Sequence, residues 1–254
     1  MQSHQKSITT GGQILRQIRW ILIKEFESLP GSSQSAISLG VIIFIAGLIS
    51  VVLGLSPGTT YEQVSAILIR MFYILTMVSG VFLTMNTFVA EKRQGTLDLL
   101  YTLPVTDFEL VTAKIVMNFI VVALLLFLLD VIYLVIIAET PLYQSFSAYI
   151  GFLLVAYYVV SLGVFASAVS ESPFMSILIS VGVILLIDIG GFYSGLFPSP
   201  AREIFSHFHA FNQFLPFSRG VIPLKGTVLF LSGGIFFHYL AVRSLSFRRF
   251  RGKG

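Results

Sequence analysis

Only 11% of the 254 residues are charged and 56% are hydrophobic, and a mean hydropathy of +0.89 excludes an ordinary soluble domain of this size. The absence of cysteine excludes disulfides, thiol chemistry and cysteine metal sites. A formal net charge of +4 fits lysines and arginines gathered at one membrane face and requires no nucleic acid. Residues 1–10 are polar, and no short apolar segment with a small-residue cleavage site follows, so insertion is expected to use the first span as its signal.

The first element is ILRQIRWILIKEFESL, residues 14–29. Ile14, Leu15, Ile18, Ile21, Leu22, Phe26 and Leu29 form a helical stripe, with Arg16, Lys24 and Glu27 mainly off it. This predicts an amphipathic helix in the membrane interface, closed by Pro30-Gly31; packing on a partner protein is the alternative. Six apolar stretches of near-bilayer length follow, at about 36–55, 67–90, 115–138, 149–169, 174–192 and 227–242. Their continuous apolarity predicts helices, since barrel strands alternate.

Six spans place both termini on one side. Lys6, Arg16, Arg19 and Lys24 precede the first span, Lys92, Arg93 and Lys114 follow the second, and Arg243, Arg248, Arg249, Arg251 and Lys253 end the chain. The 193–226 loop holds only Arg202, Arg219 and Lys225, and Arg70 lies near the start of span two. The positive-inside rule then puts both termini and residues 91–105 in the cytoplasm, with the basic tail on anionic lipid; a multi-pass protein of a cell membrane, of the bacterial inner-membrane kind, is expected.

EKRQGTLDLLYTLPV, residues 91–105, joins spans two and three. A short helix from Gln94 to Leu103 would stop near Pro104, with Leu97, Leu100 and Leu103 along one side and Leu99 beside them. Glu91, Lys92, Arg93 and Asp98 surround that ridge with charge. Thr106 and Glu109 then have the spacing of a capping box that opens the next helix. Such a stiff hairpin with an apolar ridge is either a docking site for another protein or a helix lying on its own bilayer.

Polar groups inside the spans are few: Asn86 and Thr87 near the inner end of span two, Asp130 within span three and Asp188 within span five. They line a substrate path or gate, or else serve helix-to-helix hydrogen bonding or stay neutral by burial. In the outer loop, Ser199 and Pro200 can start a short helix, and Phe205, Phe208, Phe211, Phe214 and Phe217 recur every third residue. That broad aromatic face suits the lipid interface, a dip into the membrane, or contact with neighbouring loops. His207 and His209 are spaced as a metal pair without an evident third ligand, so an interfacial polar pair is expected. No G-x-x-x-x-G-K-[ST] phosphate loop occurs, so ATP hydrolysis by that route is not expected of this chain.

The 91–106 segment resembles the coupling-helix region of ABC-2-type transporter permeases: an acid-basic pair, Gly-Thr-Leu-acid, two leucines and Pro-Val-Thr. Here these are Glu91-Lys92, Gly95-Thr96-Leu97-Asp98, Leu99-Leu100 and Pro104-Val105-Thr106. Asp98 stands where glutamate is commoner. IKEFESL resembles the family's connecting helix, and FSRGVIPLKGTVLFL resembles the entry to the last span in gliding-motility-type permeases, many of which carry an acid where Pro223 stands.

The resemblance implies an all-α, type V exporter-like subunit. It would have six transmembrane helices, an interfacial connecting helix, a cytoplasmic coupling helix and a short outer helix between spans five and six. It implies a non-catalytic permease paired with a second copy or close relative. Cytoplasmic ABC ATPases would hold the ATP and magnesium, and would dock at Glu91, Gly95, Thr96, Leu97, Asp98, Leu100 and Pro104. Two other classes compete: an ion-coupled secondary transporter working through Asp130, and an intramembrane aspartyl protease with Asp130 and Asp188 as its dyad. The surroundings LLDVIY and LIDIGGF lack the Tyr-Asp and Gly-x-Gly-Asp settings of such proteases.

Overall fold

The computed structural model describes residues 61–97, 106–132, 140–192, 198 and 209–251. Among them are seven α-helices and no strand: α1 (Tyr61–Thr84), α2 (Val89–Arg93), α3 (Asp107–Leu129), α4 (Leu142–Val169), α5 (Pro173–Phe192), α6 (Ala210–Ser218) and α7 (Leu224–Arg251). Four apolar segments are long enough to cross a membrane: Gln63–Arg93, Asp107–Ile132, Leu142–Val169 and Leu224–Arg248. Helix α5 is also apolar over Pro173–Ile187. The protein is a multi-pass, all-helical membrane protein among its described residues. The expected interfacial helix at 14–29, the span at 36–55 and the helix start at Ser199 lie outside them.

Local signals explain several boundaries. Thr106 caps α3 through the expected box: the Glu109 N–H donates to Thr106 Oγ1 at 3.3 Å, and the Thr106 N–H donates to Glu109 Oε2 at 2.8 Å. Helix α5 opens with Pro173 at its first position, and Ser172 Oγ accepts from the Met175 N–H at 3.2 Å. His209 caps α6, its Nδ1 accepting from the Asn212 N–H at 3.2 Å.

Other boundaries differ from expectation. The span expected at 149–169 begins at Leu142, since Ser145 and Ser147 depress the local hydropathy yet are buried. The span expected at 227–242 extends to Arg251 as a basic helical end.

Helix α4 is the hub. It packs against α7, α1, α3, α5 and α6, and Val155, Ala156, Val159, Val160, Leu162 and Val164 are fully enclosed. Small residues permit the approach: a Cβ on Gly163 would lie 1.9 Å from Thr84 Oγ1, and one on Gly151 would lie 2.8 Å from Phe217. Helix α6 turns its aromatic face into the bundle. The Phe214 ring lies 5.0 Å from both Tyr73 and Phe152, and Phe214 and Phe217 are fully buried. The phenylalanine repeat thus serves packing on α1 and α4 at Phe211, Phe214 and Phe217; Phe205 and Phe208 lie outside the described residues.

Candidate functional site

The polar side chains gather where α1 gives way to α2. Helix α1 stops at Thr84 although neither proline nor glycine is present there. The Thr87 N–H donates to the Thr84 carbonyl at 3.0 Å, and the Phe88 N–H leaves the helical ladder for Ser167 Oγ on α4, at 2.9 Å. The Val89 N–H reaches the same hydroxyl at 3.3 Å, and that hydroxyl donates to the Met85 carbonyl at 3.3 Å. A serine inserted into the ladder is a recognised cause of such a break. Asn86 and Thr87 lie within it, both half-buried.

Just beyond, Glu91 forms an ion pair of 2.7 Å with Lys114 of α3; the Lys114 side chain is 3% exposed and that of Glu91 18%. The Lys114 ammonium also lies 5.2 Å from the Phe88 ring centre, a cation–π arrangement. Lys92 turns the other way and donates to the carbonyls of Ser167, Ala168 and Ser170 at the end of α4. Arg93 Nε donates to the Glu171 carbonyl at 3.4 Å, and Arg248 of α7 meets the Glu171 carboxylate at 3.3 Å. Ser246 Oγ donates to Asp107 Oδ2 at 3.0 Å, tying α7 to the start of α3.

Gly95 has φ of +67°, a left-handed turn that favours glycine, with open space where a side chain would stand. Thr96 Oγ1 donates to the Glu91 carbonyl at 3.4 Å. Leu97 differs from expectation: it is 6% exposed and belongs to the apolar core, so its side chain is not displayed on an open ridge. The left-handed turn at Gly95 redirects the chain ahead of this inward leucine. Asp98, Leu100 and Pro104 lie outside the described residues.

These features identify a membrane domain whose polar work is concentrated at one end, in the segment that opens with Glu-Lys-Arg-Gln-Gly-Thr-Leu. Comparison with known protein families matches residues 55–236, more than two thirds of the chain, to the ABC-2 family transporter proteins. The chain belongs to the ABC-2 transporter family. It is thus the membrane-spanning permease part of an ABC transporter, and such family members are generally non-catalytic membrane subunits that work with a cytoplasmic ABC ATPase. No curated protein matches the chain.

The other polar candidates of this ABC-2 permease do not join that cluster. Asp130 is buried at the opposite end of α3, where the helix passes into a π-turn over 130–132. It is about 24 Å along the helix from Lys114 at 1.5 Å per residue. Ser145, in the first turns of α4, donates to Asp130 Oδ2 at 2.5 Å. Asp130 follows the last α-helical residue of α3, Leu129. Asp188 falls within α5, but its side chain lies outside the described residues. An apolar cavity of about 210 Å³ sits among α4, α5, α6 and α7, lined by Tyr158, Ile187, Ala210, Phe230, Gly233 and Phe237.

Sequence reasoning missed the pairing of Glu91 with Lys114 and the roles of Lys92 and Ser167. One signal was available. The sequence after α4, Ser170-Glu171-Ser172-Pro173, lacks the glycine that commonly closes a helix, so its last carbonyls need a donor from elsewhere.

Proposed function

We propose that this ABC-2 permease couples ATP hydrolysis by a separate cytoplasmic ATPase to export or mechanical transmission across the membrane. The ATPase docks on the 91–105 segment through Glu91, Gly95, Thr96, Leu97, Asp98, Leu100 and Pro104, and holds the ATP and magnesium. Within that set, Glu91 and Leu97 act by rooting the segment in the bundle, and Asp98 and Leu100 supply side-chain contacts to the partner. The working unit contains two permease copies, identical or closely related, in a cell membrane. Each has six spans and cytoplasmic termini, in the manner of gliding-motility-type and type V permeases.

The observation that supports this reading most is the anchoring of residues 91–97. The buried Glu91–Lys114 pair, the Lys92 contacts with α4 and the inward Leu97 tie a short segment to three helices at once. A segment so rooted can move the bundle when a partner pushes on it. The test is purification of the tagged chain from its native membranes, followed by measurement of vanadate-sensitive ATP hydrolysis in the eluate. The parent chain should carry that activity. Asp98→Lys with Leu100→Ser should lose it while inserting normally, and an undiminished yield would overturn the docking assignment.

The ion-coupled reading keeps one observation in its favour, the buried carboxylate of Asp130 bonded to Ser145. It predicts transport that persists without any ATPase and fails in Asp130→Asn.

A further inference from the structure

Helix α4 ends in a way that makes it dependent on another part of the chain. An α-helix leaves its last carbonyls unpaired, and the residues after Val169 include no glycine to fold back on them. Lys92 fills that role from 75 positions away in sequence. Its ammonium donates to the carbonyls of Ser167 at 2.9 Å, Ala168 at 2.5 Å and Ser170 at 2.8 Å. Three donors meet three acceptors, and the positive charge stands at the negative end of the helix dipole. The Ser167 hydroxyl adds a second set of bonds to the N–H groups of Phe88 and Val89.

Two mechanical routes therefore lead from the 91–97 segment into the bundle. The covalent route runs back into α1 through the break at residues 85–88, where the α-helical ladder is interrupted. A broken ladder absorbs rotation and bending. The lateral route crosses from Lys92 directly to the end of α4, the unbroken 28-residue helix on which α1, α3, α5, α6 and α7 all pack.

We infer that Lys92 is a positioning residue that passes displacement of the 91–105 segment to α4, so that the hub helix rather than α1 carries the motion to the far end of the bundle. This rests on the coupling reading above. It assigns to the lysine of the Glu-Lys pair a task distinct from contact with the partner, because its ammonium faces its own chain.

The lack of native cysteine allows two introduced cysteines to be spin-labelled cleanly. Gln94 and Val169 are exposed and lie on the two segments that Lys92 joins. In lipid nanodiscs, without ATPase, the Gln94→Cys/Val169→Cys pair should give a narrow distance distribution. Lys92→Met should broaden it, and Lys92→Arg, which keeps charge and donors, should restore much of the narrowing. A second pair, Ile74→Cys/Leu142→Cys, places exposed labels on α1 and on the far end of α4. In the ATPase-bound complex, ATP with vanadate should shift that distance in the otherwise parental chain. Lys92→Met should abolish the shift while ATPase yield and hydrolysis are retained, a split that general destabilisation would not produce. An unchanged width in the first experiment, or a retained shift in the second, overturns the inference. A parental chain that binds no ATPase removes the coupling reading and the inference together, and is told apart by the missing hydrolysis.

Discussion

The end of the bundle that carries residues 91–97 is held by charge and directional hydrogen bonds; the end that carries α6 is held by aromatic packing. At the first, the Glu91–Lys114 pair, the Lys92 ammonium and the Ser167 hydroxyl each join two chain segments far apart in sequence. At the second, Phe211, Phe214 and Phe217 fill the space beside Tyr73 and Phe152, with Arg70 5.4 Å from the centre of the Phe211 ring. Directional bonds fix one arrangement and fail when either partner is lost. Apolar packing tolerates replacement of like by like, because the interaction depends on volume and area rather than on angle. The transmission element proposed above sits at the first kind of contact.

The largest expected effect tests the charged end. Glu91→Ala removes the carboxylate that pairs with the buried Lys114 ammonium at 2.7 Å, and breaking a buried pair in this way costs about 3–5 kcal/mol. The thermal unfolding temperature in detergent should fall markedly, and Glu91→Leu with Lys114→Met should recover most of it. A Glu91→Ala chain as stable as the parent would break the comparison at its stronger side.

Ser145→Ala comes next. It removes the hydroxyl that donates to buried Asp130, at a cost of about 1–3 kcal/mol. The same unfolding measurement checks it, and Asp130→Asn should make the chain much less sensitive to Ser145→Ala if the two act as a pair. A loss as large as that of Glu91→Ala would show that the α6 end also depends on a directional bond.

Phe214→Leu tests the aromatic end itself. The residue is fully buried among three aromatic rings, yet a roughly volume-conserving apolar exchange should cost below about 1.5 kcal/mol. Smaller still is Arg248→Ala. Its partner Glu171 has a side chain 87% exposed, and exposed pairs contribute about 0–1 kcal/mol, so unfolding should scarcely change. A large effect there would mean that the charged end reaches further along α7 than the buried contacts indicate.

By itself the sequence determined the features whose causes lie within a few residues. Apolar runs near bilayer length announce spanning helices, and Thr106 and Glu109 announce the start of α3. Caps are local, and hydropathy is additive along the chain, so both survive reading in one dimension. The motif at 91–106 likewise pointed to the family that the match over 55–236 shows. Only the tertiary structure decided the break at residues 85–88, which depends on a serine 79 positions later than Phe88. It also decided the choice of Lys114 as the partner of Glu91, the inward turn of Leu97 and the packing of the α6 phenylalanines on α1 and α4. The reason is that lipid tails are as apolar as a protein core, so hydropathy cannot distinguish a lipid-facing leucine from a packed one. Where polar groups are buried, the partner that satisfies each is chosen by the fold, and sequence separation carries no information about it.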